Sequence, residues 1–236
     1  MSARLDWPGT LKGLKRMAPL SPFVIAFGLA FGVAAIQRGL SGLETLLMSG
    51  LVFAGASQFA ALELWGPQIP LVALIASTFA INARHLLMGA ALYPWLSHLP
   101  RRQRYASLGL MSDSNWAMAA ADYRRGETNV GMLVGGGIAL WLAWMLGTLL
   151  GVVFGSGISE PERFGLDVIM GCFLLSMLVG GKLDLGVLVP WVAAALAALA
   201  ALAWLPENSH VIVGALAGGI AGLLMPPRSK PKEASP

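Results

Sequence analysis

The chain has 236 residues, of which 56% are hydrophobic and only 12% charged, with a formal net charge of +4. A soluble domain carries about 25% charged residues, and apolar runs of about 18 or more residues recur here, as in helices that cross a bilayer. These totals exclude a soluble nucleic-acid binder, because the basic residues sit at the ends of apolar runs and orient the chain in a membrane. The single cysteine, Cys172, excludes a disulfide framework and a cysteine-based metal site. The expected fold is all-α: a polytopic membrane protein with about six spanning helices and two broken or re-entrant segments in its first half.

Arg4, Lys12, Lys15 and Arg16 precede the first apolar run, residues 18–37. That run exceeds the ~7–15 residues of a signal-peptide core, so it reads as a retained helix. Pro19 and Pro22 lie in its first turn, where a missing N–H costs little, and Gly28 and Gly32 form a GxxxG face for close packing. Residues 45–64 are apolar but interrupted by Gly50, by Gly55-Ala56-Ser57-Gln58 and by Glu63. Small and polar residues in mid-run predict a broken or re-entrant helix lining a protected cavity. A turn follows at Gly66-Pro67.

Residues 69–96 form the longest run. As one straight helix it would measure ~42 Å at 1.5 Å per residue, against a hydrocarbon core of ~30 Å. The polar group Asn82-Ala83-Arg84-His85 in its middle is the expected place of a break. His98, Arg101, Arg102 and Arg104 form the most basic loop. Residues 106–121 are a short run with a polar middle, Ser112-Asp113-Ser114-Asn115-Trp116, and Arg124 and Arg125 close it.

Four further spans are expected at residues 130–154, 166–181, 185–205 and 211–225. The first of them has Gly131/Gly135, Gly147/Gly151 and Gly151/Gly155 at GxxxG spacing. Glu160 and Glu162 mark an acidic loop, Lys182-Leu183-Asp184 a tight turn, and residues 206–209, with Glu207, another. Residues 1–225 read as a single transmembrane transport domain and residues 226–236 as a flexible tail.

The positive-inside rule places the N-terminus, Arg101–Arg104, Arg124–Arg125, Lys182 and the C-terminal Arg228, Lys230 and Lys232 in the cytoplasm. This alternation requires residues 45–64 and 106–121 to enter without crossing. The two segments resemble each other, with Ser57-Gln58-Phe59-Ala60 and Ser114-Asn115-Trp116-Ala117 at an offset of 57 residues. The first half therefore reads as an inverted repeat, a transporter architecture. The alternative is that residues 45–64 simply span and one charge assignment fails.

Arg84 is the sharpest signal. A charge near the midplane costs roughly 2.5–3.5 kcal/mol on insertion scales; the alternative, an arginine snorkelling to an interface, is disfavoured because Arg84 lies far from either end of its run. Its counter-charge has to come from Asp113, Glu63 or Asp167, with Asp113 favoured. His85 is either a proton carrier or a neutral imidazole on a backbone carbonyl. Ser57, Gln58, Asn82, Ser112, Ser114 and Asn115 either bind a substrate's polar groups or join helices to one another. Phe59 and Trp116 either wall an apolar pocket or pack. The three histidines fit no metal-ligand spacing and there is no phosphate-binding loop, so neither enzyme chemistry, a metal nor a cofactor is expected.

Four stretches carry a family resemblance: residues 53–61, residues 82–89 (Asn-Ala-Arg-His-Leu-Leu-Met-Gly), residues 112–116 and residues 164–167. Together they resemble the AzlC family, the large subunit of branched-chain amino acid exporters, over residues 15–225. The resemblance implies export of valine, leucine, isoleucine or methionine from the bacterial cytoplasm through the inner membrane. It also implies a small AzlD-like membrane partner. The reading that joins both lines is a secondary exporter coupled to the proton motive force, with both termini cytoplasmic. Arg84 would face the substrate carboxylate, with Asn82 and His85 beside it. Ser57, Gln58 and Asn115 would fix its polar end, Phe59 and Trp116 would border its side chain, and Asp113 would balance Arg84 or couple protons. The alternatives are a passive channel for small polar solutes and a non-transporting scaffold subunit.

Overall fold

The computed structural model describes residues 3–157, 185–205 and 209–225. The expected span 166–181 lies outside them. So do Asp167, Cys172, the acidic loop, the Lys182-Leu183-Asp184 turn, Glu207 and residues 226–236. Regular structure among the described residues is helical, apart from one isolated bridge between Arg4 and Asn129.

The first element is a continuous rod, Trp7–Gln37, made of α1 (Trp7–Met17), a 3-10 turn (Ala18–Leu20) and α2 (Ser21–Gln37). It starts well before the expected residue 18 because Asp6 caps it. The Asp6 carboxylate accepts from the Gly9 N–H (2.8 Å) and from Asn129 Nδ2 (2.7 Å). These hydrogen bonds, with Asn129 contributing most, hold the carboxyl below the usual carboxylate range. Pro8 follows in the first turn, where its missing N–H is no loss.

After the turn at Gly39, α3 (Gly42–Leu51) begins with a capping box: Ser41 and Glu44 each bond the other's backbone. The helix stops at residues 52–54 and α4 (Gly55–Glu63) resumes. At 1.5 Å per residue α3 and α4 are each ~15 Å long or less, too short to cross alone. Glu63, the last residue of α4, pairs with Arg38 at the end of α2 (3.0 Å). The pair α3–α4 thus leaves at the same end at which it enters.

Helix α5 (Leu71–Leu96) carries the chain to the other end. There Leu92, Trp95, Leu96 and Leu99 share a core with Ala119, Ala120, Val130 and Leu133. Next come α6 (Arg101–Gly109), a stop at residues 110–112, and α7 (Asp113–Arg124). Asp122 in the last turn of α7 pairs with Arg16 of α1 (3.0 Å), so α6–α7 also returns to its own end. Helices α6 and α7 start 59 and 58 residues after α3 and α4. Both hairpins therefore break at the same place in the two repeats. The element offset is 58–59, and the motif offset of 57 misaligns the breaks by about one residue.

Two sequence expectations are corrected. Helix α5 does not break at Asn82–His85 but runs unbroken through it. A charged side chain compensated laterally by a neighbouring carboxylate does not require the backbone to open. Arg101, Arg102 and Arg104 open α6 and do not form a loop. Arg104 donates to the carbonyls of Leu96, Ser97 and Leu99 (3.2, 2.7 and 3.1 Å), closing the end of α5.

The rod is packed against α8 (Gly131–Phe154). Gly13 faces Met132, Gly28 faces Trp144 and Thr148, and Gly32 faces Thr148 and Gly151. Both numbers rise together, so the two helices run parallel. A Cβ on Gly28 would lie 2.6 Å from the Trp144 carbonyl oxygen, and one on Gly32 2.5 Å from that of Thr148. A Cβ on Gly147 or Gly151 would overlap the carbonyls of Ile25 or Leu29. The GxxxG faces of both helices are thus spent on one backbone-to-backbone seam.

The described helices fall into two compact units. The first holds the rod, both hairpins, residues 81–96 of α5, and α8. The second holds the start of α5 with α9 (Leu185–Trp204) and α10 (Ser209–Leu224). Gly214 faces Ala194 and Ala198 while Gly218 faces Pro190 and Ala194, so α9 and α10 are antiparallel. Among the described residues four helical stretches are long and apolar enough to cross a membrane: Trp7–Gln37, Leu71–Leu96, Gly131–Phe154 and Leu185–Trp204. Val213–Leu224 is a shorter apolar helix.

The seam predicts that Gly147→Val lowers stability by about 1–3 kcal/mol, the usual cost of overpacking. Gly66→Ala, whose Cβ meets nothing within 4 Å, should leave it unchanged. Thermal unfolding of the detergent-solubilised protein measures both.

Candidate functional site

Residues 82–88 of α5 join both hairpins. On one side Asn82 Nδ2 donates to Ser57 Oγ of α4 (3.0 Å), and Ser57 Oγ donates to the Ala54 carbonyl (2.9 Å). Ala54 is the residue before α4, with φ −149° and ψ 74°. The hydroxyl therefore ties the backbone break to α5. On the other side Arg84 Nη2 lies 3.2 Å from Asp113 Oδ2, both side chains about one-third exposed or less. Asp113 is the first residue of α7, where the helix dipole favours negative charge. One turn further, Trp116 Nε1 donates to the Met88 carbonyl (3.1 Å).

Asn115 lies behind this contact, fully buried. Its Oδ1 accepts from the Ser112 N–H and hydroxyl (2.6 and 3.1 Å), and its Nδ2 donates to the Leu110 and Leu133 carbonyls (2.8 and 3.0 Å). An amide side chain has two donors and two acceptor sites, so Asn115 has none left for a ligand. It builds the α6–α7 break and fastens it to α8. The His85 Nδ1 faces the Asn82 carbonyl of its own helix (3.3 Å).

Gln58 is also fully buried. Its Nε2 donates to Ser49 Oγ (3.4 Å), which shares a hydrogen bond with Thr148 Oγ1 of α8 (2.9 Å). The Phe59 ring stacks on Phe27 (5.1 Å between centroids) and meets Phe31 edge-on (5.6 Å); both of these also contact Trp144. This aromatic cluster fills the space between α2, α4 and α8.

Burial normally goes with a hydrogen-bond partner. Among the described residues five buried side-chain atoms have none: the indole nitrogens of Trp95 and Trp144, in packed cores, and Gln58 Oε1, Asn82 Oδ1 and Arg84 Nε, of which the last two flank the hairpin contacts. These last two lie on α5, two residues apart and between the hairpins. One is a cationic donor and the other a neutral acceptor, so the local chemistry suits a small ligand carrying both a negative group and N–H donors.

The structure thus joins Ser57 with Asn82, and Arg84 with Asp113. It sets Trp116 beside Met88 on the same helix and places Gln58, Phe59 and Asn115 in the packing against α8. Arg16 and Asp122 escaped sequence reasoning, as did the pairing of Arg38 with Glu63. Asp122 carried a signal: it is a carboxylate in an alanine-rich stretch one turn before two arginines.

A family profile described as AzlC protein matches residues 19–158. The chain is 29% identical over 156 residues to a protein of Escherichia coli (strain K12) named "Inner membrane protein YgaZ", covering 64% of this chain and 62% of that protein. It is 24% identical over 174 residues to the "Branched-chain amino acid transport protein AzlC" of Bacillus subtilis (strain 168), covering 73% and 68%. An "Uncharacterized membrane protein" of Archaeoglobus fulgidus is 32% identical over 145 residues, covering 61% and 62%. The chain therefore spans a little over three-fifths of the length of the E. coli and A. fulgidus relatives, at 62% of each. No solved structure matches it.

Asn115→Ala leaves two carbonyls and the Ser112 N–H without partners, at a cost of about 1–3 kcal/mol for each buried group so exposed. The expected result is a large loss of thermal stability, read by the melting temperature in detergent. Trp116→Phe, which removes one donor to the Met88 carbonyl and leaves a smaller aromatic ring in its place, is expected to lose much less.

Proposed function

The chain belongs to the AzlC family, and on that premise we propose that it is the large subunit of a secondary transporter that exports branched-chain amino acids. The printed name of the B. subtilis relative supports the substrate class, and that of the E. coli relative supports the inner membrane. The observation that carries the reading is the polar segment 82–88 of α5, held between two helix breaks with unpartnered atoms of both kinds. An α-amino acid offers a carboxylate for Arg84, whose Nε has no partner among the described residues, and an ammonium for Asn82 Oδ1, which has none either.

In this reading Asp113 is the internal substitute for the substrate carboxylate. Binding draws Arg84 from Asp113 toward the substrate, and the carboxylate so freed takes a proton. That exchange couples transport to the proton motive force, with His85 as a second carrier. Trp116 borders the branched side chain. Ser57, Gln58, Phe59 and Asn115 act by holding the two breaks in place, the first through its bond to Asn82. The end that carries Arg16, Arg101, Arg102, Arg124 and Arg125 faces the cytoplasm, and with it the N-terminus, by the positive-inside rule. The C-terminal basic residues place that terminus on the same side. A small AzlD-like membrane subunit completes the transporter.

The test is valine transport in proteoliposomes with the small subunit, with and without a pH gradient. Arg84→Gln and Asp113→Asn are each expected to lower the initial rate at least about tenfold, equivalent to 1.4 kcal/mol on the barrier. Leu185→Ala, at a position 74% exposed, is expected to stay near wild type. Wild-type rates in both substitutions would overturn the site, and a flux that neither saturates nor responds to the gradient would identify a channel.

A further inference from the structure

The two ion pairs outside the central site occupy equivalent places. Glu63 ends α4 and Asp122 lies in the last turn of α7, 59 residues apart, the same interval that separates the starts of α3 and α6. Each carboxylate lies at the outer end of a re-entrant hairpin, and each reaches an arginine of the same rod. Arg16 lies in the last turn of α1 and Arg38 just past the end of α2. Their separation of 22 positions corresponds to ~33 Å of helix, close to the ~30 Å thickness of a hydrocarbon core. One pair therefore sits at each membrane face, with the Arg84 site between them.

We propose that Arg16–Asp122 and Arg38–Glu63 are the two gates of the transport pathway, each latching one hairpin to the rod and opening in alternation. The proposal rests on the transport reading. A site flanked by two hairpins opens toward a face when the hairpin at that face leaves the rod, and among the described residues these pairs are the charged links between hairpin and rod. The rod itself is held to α8 by a glycine seam with no room to shift, so it serves as the fixed post for both latches.

The latches are unequal. Both oxygens of Asp122 accept from Arg16 Nη1 (3.0 and 3.2 Å), Arg125 lies 3.9 Å away, and the carboxylate side chain is 6% exposed. Removing the partner of a buried carboxylate is strongly unfavourable. Glu63 is 67% exposed and Arg38 43%, and pairs so open to water are weak and screened by salt. Without substrate, the basic-end gate is therefore shut and the opposite gate opens easily.

The test uses a Cys172→Ser background with Ser57→Cys as the reporter and a membrane-impermeant maleimide applied to vesicles of each orientation. Asp122→Asn should raise the labelling rate from the basic face at least threefold and leave the other face unchanged. Glu63→Gln should raise it only from the opposite face, by a smaller factor, and high salt should reproduce its effect. The exchange Arg16→Asp with Asp122→Arg should return labelling to the background rate. Unchanged sidedness in folded Asp122→Asn and Glu63→Gln would overturn the gates. If Asp122→Asn does not fold, Arg16→Lys carries the same test and should raise basic-face labelling; no rise would overturn the basic-end gate. Valine transport by the Cys172→Ser protein is measured separately, so failure of the transport reading and failure of the gates give different results.

Discussion

A polar group in hydrocarbon has to find its partner inside the protein, and the rest of this structure follows from how one helix meets that constraint. Helix α5 carries Asn82, Arg84 and His85 in the middle of an apolar run. Its backbone satisfies itself as an unbroken helix, so the partners of its side chains come from neighbours. They come from α4 and α7, whose first turns are the places where the chain stops and restarts. Ser57 meets Asn82 at one break, and Asp113 meets Arg84 at the other. The breaks exist in the partners, where free N–H groups and cap side chains collect, and α5 is the straight element between them.

Keeping two helix breaks at membrane depth demands that their own backbone groups be accounted for. At the first break the Ser57 hydroxyl takes the Ala54 carbonyl. At the second, Asn115 takes two carbonyls and returns an acceptor to the Ser112 backbone. The aromatic cluster of Phe27, Phe31, Phe59 and Trp144 and the buried Ser49–Thr148 bond then fasten the first hairpin to the rod and to α8. Against them stand five buried side-chain polar atoms with no partner among the described residues, on Gln58, Asn82, Arg84, Trp95 and Trp144. The two indole nitrogens lie in packed cores, whereas Asn82 Oδ1 and Arg84 Nε lie on the α5 segment between the hairpins, and that position is what supports the binding role proposed for it.

Much of this was legible in the residue order. Small and polar residues in mid-run marked both re-entrant segments, since only a protected backbone tolerates them there. Charge alternation required both to turn back, and the ion pairs at Glu63 and Asp122 place both ends of each hairpin on one side. The GxxxG pairs of α2 and α8 announced close packing, although nothing in their spacing says that they meet each other or run parallel. The misplaced break in α5 has an instructive cause. Excess length and a buried charge read as reasons for a helix to open, yet both features are compatible with a straight helix if a carboxylate comes from elsewhere. Asn115 was misjudged for a related reason: an amide near a break looks available until its four bonds are traced.

The sequence by itself determined that the chain is a membrane protein of helices, where most of its long apolar helices lie, and which polar residues sit in the middle of apolar runs. Hydropathy, helix length and the cost of buried charge are local quantities, readable along one strand of text. Only the tertiary structure decided which arginine meets which carboxylate. Asp113 was favoured over Glu63 and Asp167 only by its place in a polar run, and Asp122 was not among the candidates, because a pair 29, 25 or 106 residues apart is set by how two hairpins fold back on a rod. The identity of a partner in hydrocarbon is a matter of position across space, and the run of residues carries that only through the fold.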